Sequence, residues 1–256
     1  MLDDTSPASA GSSEPETTRY VMHAHRGRDV WTWACAVAIA AELRRDLSLR
    51  PRARLLLSGG TTPGPVYRAL AKAPLDWSRV DIGLVDERWL LPDDPDSNAR
   101  MVRGHLLHDH AAAARFEALT QAGRRIEDAV AAANAHAQLG ASAAVLGMGE
   151  DGHTASLFPG RDLARALASR QAYVAVDADD APGAQRWPRR ISLTPIGLQR
   201  VQTRLLLIQG ERKREVFEQA LRQIAAEAED SVAWDTHGPP YGGSHNVRPL
   251  RYIPRI

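Results

Sequence analysis

The chain of 256 residues contains a single cysteine, Cys35. One thiol makes an intrachain disulfide framework impossible and excludes a zinc site built on cysteines. Cys35 lies among alanines and valines, where it reads as a small buried hydrophobe. Net charge is also nearly absent: 32 Lys and Arg against 31 Asp and Glu leave +1. That balance argues against nucleic-acid binding through bulk charge, while leaving room for a local cation cluster around a small anion. No run approaches the roughly 18 uninterrupted apolar residues of a membrane span. The opening MLDDTSPASAGSSEPETTR has no apolar core, so it is neither a secretory signal nor a membrane anchor. Residues 1–18 read as a disordered tail and residues 19–256 as one α/β domain. The expected compartment is the cytoplasm, and no membrane partner is expected. His105, His108 and His110 lie close together but without an adjacent acidic ligand, so no metal site is expected. There is no internal repeat and no plausible Ser-His-Asp set.

What is present is an ordinary globular composition, 44% apolar and 25% charged, arranged in alternation. Strand candidates are Tyr20–His25, Ala53–Leu57, Val80–Val85, Ala141–Leu146, Tyr173–Val176, Ile191–Leu193 and Arg204–Ile208. Helix candidates are Val30–Leu47, with a basic last turn, then Pro63–Ala73, Asn98–His108 capped by Ser97, Ile126–Leu139 and Arg212–Glu229. This pattern predicts a doubly wound, mostly parallel sheet flanked by helices, Rossmann-like in outline. Ligands of such sheets bind beyond the carboxyl ends of the strands.

Four polar segments fall at those ends. In Ser58-Gly59-Gly60-Thr61 the glycines let backbone N–H groups approach an anion, although a tight βα turn would look the same. It is not a Walker A loop, which would end in Gly-Lys-Ser/Thr. Asp86-Glu87-Arg88 offers a guanidinium for a phosphate, or merely a solvated loop with a local ion pair. Arg189, Arg190 and Lys213 read either as further cations for a phosphate or as solvated charges. The fourth segment, GMGEDGHTASLFPG at 147–160, contains a literal G-x-G-x-x-G. Dinucleotide binding is rejected, because that fingerprint opens a long helix and Pro159-Gly160 interrupts here. Instead His153 is the candidate general base. It is expected at a helix N-terminus, where the dipole favours the neutral ring, with Asp151 orienting the ring or a water.

Taken together, SGGTTP at 58–63, DERW at 86–89 with SN at 97–98, GMGEDGHTASLFPG at 147–160, RISLT at 190–194 and GERK at 210–213 resemble the 6-phosphogluconolactonases, within the superfamily shared with glucosamine-6-phosphate deaminase. The matching segments span about 58–221. The resemblance implies hydrolysis of 6-phospho-D-glucono-1,5-lactone, with no cofactor and no metal, by a monomer or homodimer whose partner is the small sugar-phosphate lactone. His153 then matches the catalytic histidine, with Asp151 as its partner. Gly59, Gly60, Thr61, Asp86, Arg88, Arg190 and Lys213 match positions that hold substrate or phosphate. TASLFP after His153 separates the chain from the deaminases, which continue with an IAFNEP-like run. A non-catalytic sugar-phosphate sensor is the third reading, disfavoured because His153 is kept. Residues 230–256 depart from the pattern: Arg248–Ile253 is expected to supply the final helix, leaving little for a terminal strand.

Overall fold

The computed structural model describes residues 20–25, 27–235 and 253–254 of the chain. The expected N-terminal tail and most of the atypical C-terminal segment lie outside them. Helix α1 (Arg28–Leu49) is followed by β1 (Ala53–Leu57), α2 (Gly64–Leu70), β2 (Val80–Leu84), β3 (Asp86–Arg88) and α3 (Asn98–Leu106). Then come β4 (Arg115–Phe116), α4 (Ile126–Ala137), β5 (Ala141–Leu146), α5 (Leu163–Leu167), β6 (Tyr173–Asp177) and β7 (Arg189–Leu193). The described chain ends with α6 (Pro195–Gln199), β8 (Val201–Leu206), α7 (Glu211–Asp235) and β9 (Ile253–Pro254).

The main sheet has the order β4-β2-β1-β5-β8-β9, and every neighbouring pair is parallel. Its central strands are buried on both faces; β2 and β5 are buried at every position. That is the pattern of a parallel sheet covered by helices on each side. Side chains alternate between the two layers: Leu55 and Leu57 pack with Ile39 and Leu43 of α1 and Leu70 of α2, while Leu56 faces Ala133 of α4 and Leu198 of α6. The doubly wound architecture is as expected.

Strand order runs outward from β1 in one direction through β2 and β4, and in the other through β5 and β8. The order therefore reverses between β1 and β5, and a crevice opens beyond their carboxyl ends. The SGG loop leaves β1 there and the Gly147 loop leaves β5.

Several sequence-level expectations need correcting. Tyr20–His25 forms no strand; Tyr20, Val21 and Met22 stay exposed and bury no face. Helix α1 continues to Leu49, stopped by extended Arg50 ahead of Pro51, so Arg44 and Arg45 lie inside it and not in its last turn. The Tyr173 and Ile191 strands do not join the parallel sheet. With β3 they build a separate antiparallel sheet of order β3-β7-β6. Ile253–Pro254 is strand, paired with Leu205–Leu206 of β8, where a helix was expected; 248–252 lie outside the described residues.

Candidate active site

The small antiparallel sheet stands over the crevice, and its register does the chemical work. Asp86 faces Ser192 and Arg88 faces Arg190 across the β3–β7 pair. Like charges directly opposite each other destabilise a sheet. Arg190 is nearly completely buried as well, at 5% exposure. Burial pushes its pKa below the usual guanidinium value; Asp86 and Glu87 oppose that shift and Arg88 adds to it. Two buried polar atoms nearby, Arg88 Nε and Ser58 Oγ, have no hydrogen-bond partner among the described residues. Paired cations and orphaned donors at one place describe a site organised for an anion.

The cleft they border has a volume of about 260 Å³ and is lined by Ser58, Gly59, Gly60, Thr61, Asp86, Arg88, Asn98, Gly147, Gly149, His153, Arg190 and Lys213, among others. Every residue expected to bind substrate or phosphate is thus brought together, although the four segments are far apart in sequence. Asp151 does not line the cleft but holds His153 from behind: Nδ1 of the ring lies 2.5 Å from Asp151 Oδ1. A larger cleft of about 790 Å³ lies on the far side of the Gly210 turn, between Trp31 of α1 and Glu211, Glu215 and Glu218 of α7. It also holds His25, Arg28 and Arg214, but its three carboxylates disfavour an anion, so the smaller cleft is the candidate site.

The surroundings of His153 differ from expectation. It is not at a helix N-terminus: Gly152, at φ 84°, turns the chain, and the next helix after β5 begins only at Leu163. A dipole argument for the ring therefore fails. Its place is taken by direct contacts. Asp151 is pushed up by partial burial, but hydrogen bonds from the His153 ring and amide outweigh this and bring its carboxyl below the usual range. As an anion it can only accept, so Nδ1 carries the proton and Nε2 is left as the basic nitrogen. The other face of the ring lies on Phe158, with centroids 4.0 Å apart. The Arg190 guanidinium stacks on that same Phe158 ring at 4.9 Å. Phe158 is therefore a common platform for the base and a cation. Sequence reading passed over it because an aromatic in a loop looks like any core residue.

Asn98 was also missed as a side chain, although its SN motif was noted. Its Nδ2 donates to the Asp86 carbonyl at 2.8 Å, and a Cβ on Gly59 would fall 1.9 Å from its Oδ1. Glycine at 59 is thus required by close approach. Gly149 is required for the same reason. A Cβ there would lie 2.3 Å from His153 Nδ1 and 2.4 Å from Asp151 Oδ1. Gly149→Ala is expected to push the pair apart and lower kcat by about tenfold to a hundredfold, since small misplacements at a reacting centre carry such losses. Steady-state kinetics with phosphate inhibition as a control would check it; a normal kcat would refute the geometry.

Comparison with known proteins gives the family. Residues 28–237 match the family model described as glucosamine-6-phosphate isomerases/6-phosphogluconolactonase. A 6-phosphogluconolactonase of Xylella fastidiosa is 52% identical over 198 residues, covering 75% of this chain and 82% of the relative. One from Pseudomonas aeruginosa is 39% identical over 207 residues, covering 76% and 85%. Among solved structures, a 6-phosphogluconolactonase from Shewanella baltica superposes with a TM-score of 0.73 at 33% identity, covering 79% of this chain and 87% of that one. The chain belongs to the glucosamine-6-phosphate isomerase/6-phosphogluconolactonase family.

Proposed function

We propose that the protein hydrolyses 6-phospho-D-glucono-1,5-lactone to 6-phospho-D-gluconate, the second step of the oxidative pentose phosphate pathway, as a cytoplasmic lactone hydrolase. The observation that carries this reading is the cleft in which a carboxylate-held histidine, His153, shares an aromatic platform with buried Arg190. Relatives of 6-phosphogluconolactonase name at 52% identity support the substrate.

The substrate presents two anionic demands, a phosphate at one end and a carbonyl oxygen that becomes negative during attack. Arg88, Arg190 and Lys213, with the Gly59-Gly60-Thr61 loop, supply cations and backbone donors for both. His153 Nε2 takes a proton from water as the water oxygen bonds to the lactone carbonyl carbon. The tetrahedral intermediate then expels the ring oxygen, which receives that proton from the imidazolium. One water is consumed, one C–O bond is broken and the histidine returns to its starting state. A δ-lactone already opens in water, so positioned water, one neutral imidazole and a phosphate grip suffice. Asp86 orients sugar hydroxyls or the water from the neighbouring strand.

The deciding measurement is lactone hydrolysis by the wild-type protein against the spontaneous reaction. Acceleration is expected, with no added metal or nucleotide. A rate equal to background would sink the proposal, and ammonia release from glucosamine 6-phosphate would point to the deaminase branch.

A further inference from the structure

The loop that carries His153 breaks a local rule. The Thr154 carbonyl accepts from the Leu157 amide at 3.1 Å, closing a turn whose second residue is Ala155. Ala155 has φ 54°. Positive φ at that place in a turn belongs to glycine, asparagine or aspartate, because an alanine Cβ crowds the backbone there. The other non-glycine residue with positive φ among those described is Asp109, of a type that tolerates it. Something outside the turn must hold Ala155, since strain of this kind persists only where the surroundings enforce it.

Ser156 is the next residue, fully buried and tied at both ends. Its amide donates to Ser192 Oγ on β7 at 3.1 Å, and its hydroxyl donates to Asp86 Oδ2 on β3 at 2.6 Å. These two bonds fasten the loop to the two strands that carry Arg88 and Arg190. The loop closes on itself at the other end, where the Gly149 amide donates to the His153 carbonyl at 2.9 Å. His153 is therefore held between a local bond and the two Ser156 bonds. Ser156 itself is not among the cleft-lining residues. Nothing in the family match or the expected site set assigns it a task.

We propose that Ser156 is a positioning residue for the reaction, latching the loop to Asp86 and Ser192 so that Ala155 is forced left-handed and His153 stands in register with the cations of the cleft. This rests on the lactonase reading above. The latch acts on the base and not on the phosphate grip, so its loss divides kcat from KM. Ser156→Ala is expected to lower kcat about tenfold to a hundredfold, with KM and competitive inhibition by inorganic phosphate changed less than about threefold. A merely structural serine would weaken both together. Ser156→Cys keeps the side-chain shape but donates weakly, and is expected to lose kcat in the same direction should the alanine variant not fold.

A second reading is independent of activity. In the wild-type background Ala155→Gly is expected to raise Tm, because glycine takes the left-handed conformation without strain. With Ser156 already replaced, the hydroxyl bond to Asp86 is gone and only the backbone amide bond to Ser192 still holds the turn, so the gain is expected to shrink. Unchanged kcat in both Ser156 variants overturns the proposal, as does the same Tm gain in both backgrounds. Wild type that fails to outpace spontaneous hydrolysis would defeat the lactonase reading instead, while the Tm comparison would still decide the latch.

Discussion

The His153→Ala protein is expected to fold, to keep its affinity for phosphate, and to lose kcat by about 10²–10⁴, the usual contribution of a positioned general base. The ring is only partly buried, with 23% of its side chain exposed, so removing it leaves a solvated hollow and costs little stability. What disappears is specific. The hydrogen bonds from His153 hold the Asp151 carboxyl below its usual range. A depressed carboxylate of this kind favours the folded, paired state at neutral pH, and loses that advantage only as acid protonates it. Across the working range the pair therefore presents Nε2 as its basic atom. Among the described residues no other histidine lines the cleft, so no second imidazole replaces the base. Residual acceleration is expected from Arg88, Arg190 and Lys213, which still bind the phosphate and the developing oxyanion. Rates must be taken with the spontaneous reaction subtracted at each pH. An alanine variant with wild-type kcat would remove His153 from the mechanism while leaving the lactonase activity standing.

Much of this site was legible in the sequence because its parts are local. A compact apolar run followed by Ser-Gly-Gly, or by Gly-Met-Gly, marks a strand end whatever the rest of the chain does. Alternation of strands and helices then requires such ends to converge at one edge of the sheet. Ser97 was readable as a cap for the same reason, and its Oγ does accept from the Ala99 and Arg100 amides. What stayed hidden is non-local. The three residues of β3 carry no periodicity to read, and only pairing with β7, about a hundred residues on, makes them a strand. The facing arginines follow from that register and from nothing in either segment alone. His153 was placed on a helix because Gly152-His153-Thr154 resembles a helix start; the turn that replaces it depends on Ser156 meeting two strands. The sequence rules fail where the loop is bent toward function, at Ala155 and at the Arg88–Arg190 pair, which is where such failures are expected.

Glu87 gives the largest expected effect on stability, and the sequence left its segment open between a phosphate site and a solvated loop. It is fully buried, at 0% exposure. Its Oε1 accepts from the Arg88 and Asn98 amides, both at 2.8 Å, and its Oε2 accepts from the Ala99 amide at 2.8 Å and the Ser97 hydroxyl at 2.9 Å. One carboxylate thus satisfies the start of α3 and the backbone of β3, setting the positions of Asn98 and Arg88 in the cleft. In Glu87→Gln one of those oxygens becomes an NH₂ that faces two donors. With the NH₂ turned toward Ser97 and Ala99, the Ala99 amide keeps Ser97 Oγ as an acceptor but the Ser97 hydroxyl loses its own, and a loss of about 1–3 kcal/mol is expected. For a chain of this size that corresponds to roughly 2–12 °C in Tm. The pH dependence has a definite sign. Burial pushes the Glu87 pKa above its ordinary 4.5, outweighing the four hydrogen bonds that favour the anion. The folded state therefore binds this proton more tightly than the unfolded state, and this residue's contribution to stability falls as pH rises from about 4.5 through the raised value. Glutamine does not titrate, so the gap between wild type and variant should be widest in acid and narrow toward neutrality. Thermal melts of both proteins across that range measure the gap directly, because groups common to both cancel. A gap that widens with pH would mean that the four donors, not burial, dominate the carboxyl, and that Glu87 is held below its ordinary value.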